Sequence, residues 1–217
     1  MRGTGGAERL DGEVRAGLRQ DNLPGVALAV AAGGRVVLDA CWGQADLARG
    51  EALTPGHLLR ASSLTKLVTA VVAFQLAERG RLRLDDPLVR HLPQAAAIVD
   101  PFDGPPITLR HLLTHHSGLP RGPYRRPAEA VDLLDELPLL RQVHPAGERA
   151  KYSNLGYGVL ARALQAAAGR PFAELVRDGV LAPAGMAASR LEGETGIAAA
   201  TRAEGGSTGA AGAVAPG

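Results

Sequence analysis

The feature that most constrains this chain is a serine and a lysine three residues apart at the start of an apolar segment, Arg60 to Phe74. In an α-helix, residues at this spacing share a face, so the hydroxyl of Ser63 and the amine of Lys66 lie within reach of each other. A serine beside an amine that takes or holds its proton is typical of an acylating nucleophile. The alternative interpretation is an ordinary capped helix with a surface lysine.

The rarity of lysine strengthens the catalytic interpretation. Lys66 and Lys151 are the only lysines in the chain, against 22 arginines. An ammonium group in a suitable environment loses its proton near neutral pH, whereas a guanidinium does not. A lysine at position 66 therefore has a chemistry that the chain's usual basic residue lacks, although Lys151 shows that lysine is not reserved for this position.

Ser63 is favoured over its neighbour Ser62 as the nucleophile. Three residues after Ser62 comes Thr65, which cannot serve as a base, so Ser62 is interpreted as a helix cap. At the amino end of the helix, unpaired amides and the helix dipole favour a developing negative charge near Ser63. Beyond it, a helical stripe of apolar residues is predicted, ending at Gly80 in a left-handed cap. The stripe comprises Leu64, Leu67, Val68, Val71, Val72 and Leu76.

Length and composition limit the class of protein. With 217 residues and 46% apolar content, the chain can bury a core in one or two domains, and with only 3% aromatic residues that core must be aliphatic. The net charge of +2 and the mixing of acids with arginines argue against nucleic-acid binding. The single Cys41 forms no intrachain disulfide and is predicted to be buried. As written, the sequence lacks a signal peptide and a membrane span, which predicts a cytoplasmic protein.

Three segments are predicted along the chain. Residues 1–60 contain a helix near Glu8 to Asp21 and a β-hairpin with a two-glycine turn at Gly33 and Gly34. Residues 61–188 are predicted to be mostly helical and carry the Ser-x-x-Lys pair. Residues 189–217 are rich in Gly and Ala with no clear period, and are interpreted as a disordered or truncated tail.

Two groups of polar residues offer other chemistry. His111 and His115 are one helical turn apart, which is metal-ligand spacing, but no Cys or carboxylate lies on the same face. Packing or turn stabilisation is therefore favoured over a metal site for this pair. The adjacent Asp85 and Asp86 point apart, which favours helix capping over a pair of acid–base carboxylates.

Taken together, several motifs resemble those of the β-lactamase-related serine hydrolases, which include class C β-lactamases, DD-peptidases and esterases. Ala61-Ser-Ser-Leu-Thr-Lys66 resembles the nucleophile motif of this family, and Leu112-Leu-Thr-His-His-Ser-Gly-Leu-Pro120 its Leu-Leu-Thr-His-x-Ser-Gly-Leu signature. His144-Pro-Ala-Gly-Glu148 and Tyr152-Ser-Asn154 resemble its Pro-Gly and Tyr-x-Asn motifs. The resemblance covers about residues 8–188 in the family's order.

The resemblance implies an α+β fold of the β-lactamase/transpeptidase type, with a partial antiparallel sheet, an N-terminal helix and a mostly helical domain. It implies that Ser63 is the nucleophile, Lys66 its proton partner and Tyr152 a general base or acid, while Asn154 binds a substrate amide. A phenol acts as a base near neutral pH only if a neighbouring cation lowers its pKa, and Lys66 would supply that charge. The expected substrate is a small molecule or peptide bearing an ester or amide, with no cofactor and no metal.

One departure from the family pattern limits this expectation. The family's third motif is Lys-Thr-Gly or His-x-Gly on a strand beside the nucleophile, and no Lys or His follows Asn154 in this sequence. The resemblance implies that this strand supplies the second oxyanion N–H. Loss of one oxyanion donor typically costs about 10²- to 10³-fold in rate. The expectation is thus a chain truncated or frameshifted at its C-terminus, either as a working hydrolase or as a catalytically impaired member or non-catalytic scaffold. The choice among β-lactam, D-Ala peptide and simple ester, and the oligomeric state, stay open.

Overall fold

A computed structural model describes residues 4–122, 133–191 and 213–214. The described chain forms two compact units that divide between Leu59 and Arg60. The first contains α1 (Thr4–Gln20), β1 (Gly25–Ala32), β2 (Arg35–Asp46) and β3 (Glu51–Ala52). The helices of the second are α2 (Thr65–Glu78), α3 (Leu88–His91), α4 (Leu109–Leu113), α5 (Leu133–Glu136), α6 (Asn154–Ala168) and α7 (Phe172–Val176). Short 3-10 turns lie at Ser62–Leu64, Pro93–Ala97 and Leu137–Leu139, and a π turn at Arg177–Leu181.

The first unit is built on the predicted hairpin. β1 and β2 are antiparallel, and Ala32 pairs with Arg35 across the turn. Gly33 and Gly34 have φ of 58° and 75°, the left-handed conformation that a tight two-residue hairpin turn requires. β3 extends the sheet on the other side of β2. Cys41, predicted to be buried, is half-buried on β2.

A separate two-stranded sheet consists of β4 (Leu59–Arg60) and β5 (Ala213–Val214). β5 falls in the segment interpreted as a tail from the composition of residues 189–217. Apart from β5 and residues 189–191, that segment lies outside the described residues.

Helix α2 is apolar on more than one face, which corrects the predicted stripe. Its buried side is formed by Thr69, Val72, Ala73 and Leu76. Other apolar residues, including Leu67 at 67% exposure, face away from that side, because neighbouring positions such as 67 and 69 lie far apart around the helix. The exposed apolar residues of the helix and the turn before it are Leu64, Leu67, Val71 and Phe74. The helix ends at Glu78, and Gly80 follows it in the predicted left-handed conformation, with φ 67°.

Helix α6 is the central helix of the second unit. It begins at Asn154, because the Ser153 side chain accepts a hydrogen bond from the Gly156 amide (2.8 Å) and caps it. It ends at Gly169, whose φ is 67°. The residues from Leu155 to Ala161 are all buried, so this helix is surrounded by other elements on every side.

The core of the second unit is aliphatic, as the low aromatic content predicts. Leucines and valines from α2, α4 and α6 form it, and Phe172 is its one fully buried aromatic residue among the described residues. Together the two units make an α+β protein, as predicted. Within the described ranges, every helix is too short or too polar to span a lipid bilayer.

Candidate active site

The structure brings Ser63 and Tyr152 together. The Ser63 Oγ and Tyr152 Oη atoms are 2.6 Å apart, a short hydrogen bond in which either hydroxyl can be the donor. Ser63 lies in the 3-10 turn that leads directly into α2, and Tyr152 lies two residues before α6. Both side chains are exposed, with Tyr152 at 40%, so a substrate can reach them.

Lys66 completes the group through Asn154 and the face of Tyr152. Its Nζ donates to Asn154 Oδ1 at 2.7 Å and lies 4.9 Å from the centroid of the Tyr152 ring. An ammonium group only donates hydrogen bonds, so this contact fixes which side of the Asn154 amide carries the oxygen. The Asn154 Nδ2 group therefore points elsewhere and is available as a donor. All four residues predicted for the site thus lie in one cluster.

The environment of Tyr152 favours its ionised form. Partial burial on its own raises the pKa of Tyr152, but interactions with Lys66 and Ser63, together with the positive charges of Lys66 and Arg121, outweigh it. The net effect is a Tyr152 pKa below the ordinary value for tyrosine. A phenol with a lowered pKa is a better proton acceptor near neutral pH than an isolated tyrosine.

Four hydrogen bonds hold the loop that carries Tyr152. Residues 151–154 run beside residues 115–121, and the bonds join the two segments on both sides of Tyr152. Since the backbone is restrained directly before and after Tyr152, the phenol has a fixed base. The bonds are Lys151 N–H to His115 O (2.7 Å), Ser153 N–H to His115 Nδ1 (3.2 Å), Ser153 Oγ–H to Pro120 O (2.6 Å) and Asn154 N–H to Arg121 O (2.9 Å).

His111 and His115, the two histidines at metal-ligand spacing, make different structural contacts. His111 completes a capping box at the start of α4, in which its Nδ1 accepts from the Thr108 amide and the Thr108 hydroxyl accepts from the His111 amide. His115 packs against Tyr152 instead. Within the described part of the chain, no group of three or more His, Cys, Asp or Glu side chains is arranged to hold a metal ion.

Asp85 and Asp86 form ion pairs and hydrogen bonds rather than helix caps. Asp85 is exposed and pairs with Arg110, whereas Asp86 is buried and accepts from the Arg83 amide, Arg90 and His91. The residue at the N-cap of α3 is Pro87. The prediction of capping is therefore wrong, because the chain turns at residues 84–85 and brings the Arg83 amide close to the Asp86 carboxylate.

Ser62 also differs from its prediction as a cap. The N-cap of the 3-10 turn is Ala61, and Ser62 lies inside the turn with φ 47°. This left-handed conformation is uncommon for a residue with a side chain, and it immediately precedes Ser63. Backbone strain of this kind clusters at functional sites.

Arg121 also belongs to the site, and no sequence pattern predicts it. Its guanidinium carbon lies 5.9 Å from the centroid of the Tyr152 ring, and its charge helps to lower the Tyr152 pKa. In the sequence it is one of several arginines in a Pro/Arg segment, and only the position directly after the Leu-Pro of the signature motif distinguishes it. Lys151, the other lysine near the motif, is exposed to solvent.

The sequence of this chain is similar to one protein family and to named relatives. A protein-family model described as Beta-lactamase matches residues 10–217. The D-alanyl-D-alanine-carboxypeptidase/endopeptidase AmpH of Escherichia coli is 36% identical over 137 residues, which are 59% of this chain and 35% of AmpH. Esterase EstB of Burkholderia gladioli is 33% identical over 199 residues, which are 83% of this chain and 50% of EstB.

The structure was also compared with solved structures. A Yersinia pestis beta-lactamase/D-alanine carboxypeptidase, crystallised with citrate, superimposes with a TM-score of 0.70 at 35% sequence identity. The match covers 81% of this chain and 52% of the Yersinia protein. The chain thus spans from about a third to about half of the length of the relatives it matches.

Proposed function

The chain belongs to the β-lactamase family, and on that premise we propose that it is a serine hydrolase in which Ser63 is acylated by an ester or amide substrate. The observation that supports this most strongly is the 2.6 Å contact between Ser63 Oγ and Tyr152 Oη. A nucleophile and its base within hydrogen-bond reach, with the base oriented by further groups, is the arrangement that covalent catalysis requires.

In the proposed acylation step, Tyr152 acts as the base. Its phenolate takes the proton of Ser63 as Oγ forms a bond to the substrate's carbonyl carbon. The tetrahedral intermediate then collapses: the bond from that carbon to the leaving oxygen or nitrogen breaks, and Tyr152 returns the proton to the leaving group. Lys66, 4.9 Å from the ring centroid, stabilises the phenolate that exists before the first transfer and after the second.

Deacylation repeats the same steps with water. A water molecule gives a proton to Tyr152 and attacks the acyl carbon, and the bond to Ser63 Oγ breaks while the proton passes back to Oγ. The products are a free acid and the original enzyme. Ser63 lies in the 3-10 turn directly before α2, where the helix dipole favours the negative charge that develops on the carbonyl oxygen.

Asn154 is proposed to orient the substrate. Its Oδ1 accepts a hydrogen bond from Lys66, so the Nδ2 hydrogens can donate to a carbonyl oxygen in the acyl part of an amide or ester substrate. This assigns two roles to one residue, since the same amide also restrains the ammonium group. A substrate panel with and without an acyl amide carbonyl distinguishes the role in binding from the role in holding Lys66.

The hydrolase and a non-catalytic scaffold are separated by one experiment. The purified chain is assayed with a p-nitrophenyl ester, a cephalosporin and a D-Ala-D-Ala peptide, each with wild type and Ser63→Ala. Turnover of any of these that disappears in Ser63→Ala supports the hydrolase and names its substrate class. A folded wild type that turns over none of them faster than Ser63→Ala contradicts it and leaves a scaffold as the function.

A further inference from the structure

His115 contacts the loop that carries Tyr152 through both its backbone and its side chain. Its carbonyl oxygen accepts from the Lys151 amide at 2.7 Å, and its Nδ1 accepts from the Ser153 amide at 3.2 Å. These are the amides directly before and after Tyr152. A single residue therefore holds the backbone on both sides of the phenol.

The ring of His115 also supports the phenol by packing. Its centroid is 4.5 Å from that of Tyr152 and 5.1 Å from that of Tyr157, with tilts of 36° and 42°. The Tyr157 hydroxyl donates to the Leu113 carbonyl at 2.9 Å, which fixes the second ring in place. His115 is thus a spacer between an anchored tyrosine and the reactive one, at distances usual for aromatic pairs.

The backbone of His115 has an uncommon conformation. Its φ is 61°, in the left-handed region that histidine and asparagine tolerate better than most residues. The adjacent His116 makes different contacts, with its Nδ1 on the carbonyl and hydroxyl of Thr114. A substitution at position 115 must therefore tolerate this φ if it is to test the side chain alone.

The contact with Ser153 requires a neutral ring. An amide N–H only donates, so Nδ1 must carry no proton, and in the neutral ring the proton is on Nε2. Burial lowers the pKa of His115, and the charges of Lys66 on α2 and of the neighbouring His116 lower it further. The other titratable groups that face the ring are the phenols of Tyr152 and Tyr157, and no carboxylate in the described residues offsets these effects.

We propose that His115 is a positioning residue for Tyr152, and that protonation of its ring disconnects Ser153, displaces the phenol and switches the site off in acid. Protonated Nδ1 becomes a donor that faces another donor, so the hydrogen bond is lost and a positive charge is added beside Lys66. A displacement of about 1 Å in a catalytic group costs about 10²-fold in rate. This inference rests on the proposed role of Tyr152 as the base for Ser63.

Two substitutions separate the acceptor from the backbone conformation. His115→Asn keeps an acceptor at the δ position and tolerates a left-handed φ, but it does not titrate. His115→Gly also accepts this φ but has no acceptor. The rate at which a fluorophosphonate labels Ser63 is measured across the acid and neutral pH range for wild type and both variants, with far-UV circular dichroism as the check on folding.

The wild-type labelling rate is expected to fall in acid in step with protonation of His115. His115→Asn is expected to stay within about tenfold of wild type at neutral pH and to lack this acid step, while His115→Gly is about 10²-fold slower at neutral pH. If His115→Asn retains the same acid step, or if His115→Gly labels as fast as wild type, the inference is overturned.

Nitrogen NMR of the wild type tests the inference without any reaction. The account requires an unprotonated Nδ1 on His115 at neutral pH, and a shift of the Tyr152 ring signals when His115 is protonated. The inference is contradicted by a proton on Nδ1 at neutral pH, or by Tyr152 signals that do not change when His115 titrates. This result stands even if a variant fails to fold. A wild type that shows both NMR properties but is never labelled refutes the proposed function and leaves the positioning contact standing.

Discussion

Ser63 Oγ and Tyr152 Oη share a 2.6 Å hydrogen bond although 89 positions separate the two residues in the chain. Removal of the phenolic oxygen by Tyr152→Phe leaves the ring packed on His115 but removes the proposed base. We expect labelling of Ser63 by a fluorophosphonate to slow by about 10²- to 10⁴-fold, the usual contribution of general base catalysis. This rate is measured by quenching the labelling reaction at a series of times and determining the intact mass of the protein.

The thermal unfolding midpoint is the control for Tyr152→Phe. The residue is exposed, so its hydroxyl contributes little to stability and the midpoint should stay close to that of wild type. A variant that labels at the wild-type rate would show that Lys66 or water, rather than the phenol, accepts the proton.

Arg121 should set part of the pH dependence. Its charge lowers the Tyr152 pKa, so Arg121→Gln is expected to raise that pKa. Since the phenolate is the active form, the labelling rate then reaches its maximum at a higher pH than in wild type. The pH profile of labelling measures the shift, and an ultraviolet titration with Tyr152→Phe as the blank gives the phenol's pKa directly.

Arg149→Gln is the matched control for Arg121→Gln. Arg149 is an exposed arginine paired with Glu148, whereas the groups that lower the pKa of Tyr152 are Lys66, Ser63 and Arg121. Its substitution should leave the pH profile where it is in wild type. An identical profile for Arg121→Gln and wild type would exclude Arg121 from the electrostatics of the site.

The sequence predicts which residues form this site better than it predicts which of them contact one another. Ser63 and Lys66 are predicted from their spacing, the rarity of lysine and the resemblance to the family's nucleophile motif, and Tyr152 and Asn154 from motifs in the same order as in the family. The partner of Lys66 was not predicted, because Asn154 was assigned to the substrate and the contact between them joins segments 88 residues apart. Periodicity reports which face of an element a residue occupies, but not which distant side chain it meets.

The same limit explains what was missed around the site. The left-handed φ of Ser62 and His115 carries no sequence signal such as a glycine, so neither strained residue was expected. The hairpin turn at Gly33 and Gly34 was predicted correctly because its conformation does depend on glycine. Helix α2 misled the periodicity argument because apolar residues on both sides of a helix do not show which side is buried.

The adjacent Asp85 and Asp86 should differ sharply in their effect on stability. Asp86 is buried with three partners, so Asp86→Asn is expected to lower the free energy of unfolding by about 1–3 kcal/mol, the cost of leaving buried polar groups unsatisfied. Asp85→Asn removes only an exposed pair with Arg110 and should have a much smaller effect. Urea denaturation at neutral pH measures both.

The pH dependence of the Asp86 contribution follows from its pKa. Hydrogen bonds from Arg83 and His91 and the charge of Arg90 outweigh the effect of burial and hold the pKa of Asp86 below its unfolded value of about 3.9. A carboxylate with a lowered folded pKa stabilises the protein above the unfolded pKa and loses this effect as pH falls through the folded pKa. The difference between wild type and Asp86→Asn should therefore shrink in that acid range, and a constant difference would contradict this assignment.

Gly118 should be intolerant of a side chain. It has φ 76°, and a Cβ built on it would overlap the carbonyl oxygen of His144. A left-handed alanine alone costs about 1–2 kcal/mol. Because the overlap adds to this cost, Gly118→Ala is expected to lower the free energy of unfolding by a larger amount. Because Gly118 lies in the segment that holds the Tyr152 loop, labelling of Ser63 should slow as well.

Gly80→Ala supplies the comparison for Gly118→Ala. Gly80 has a similar φ of 67° but open space around the position of a Cβ. The Gly80→Ala variant should lose only the stability that a left-handed alanine costs, and Ser63 should be labelled at the wild-type rate. Equal losses of stability in the two variants would show that the segment around Gly118 moves freely enough to admit a methyl group.

The most direct test of the account is the site at which the protein is acylated. Wild type, Ser63→Ala and Ser62→Ala are incubated with a fluorophosphonate, and the modified peptide is identified by mass spectrometry. We predict one label per wild-type chain, on Ser63, which is retained in Ser62→Ala and lost in Ser63→Ala. A folded wild type that takes up no label, or a label that persists in Ser63→Ala, would contradict the assignment of Ser63 as the nucleophile.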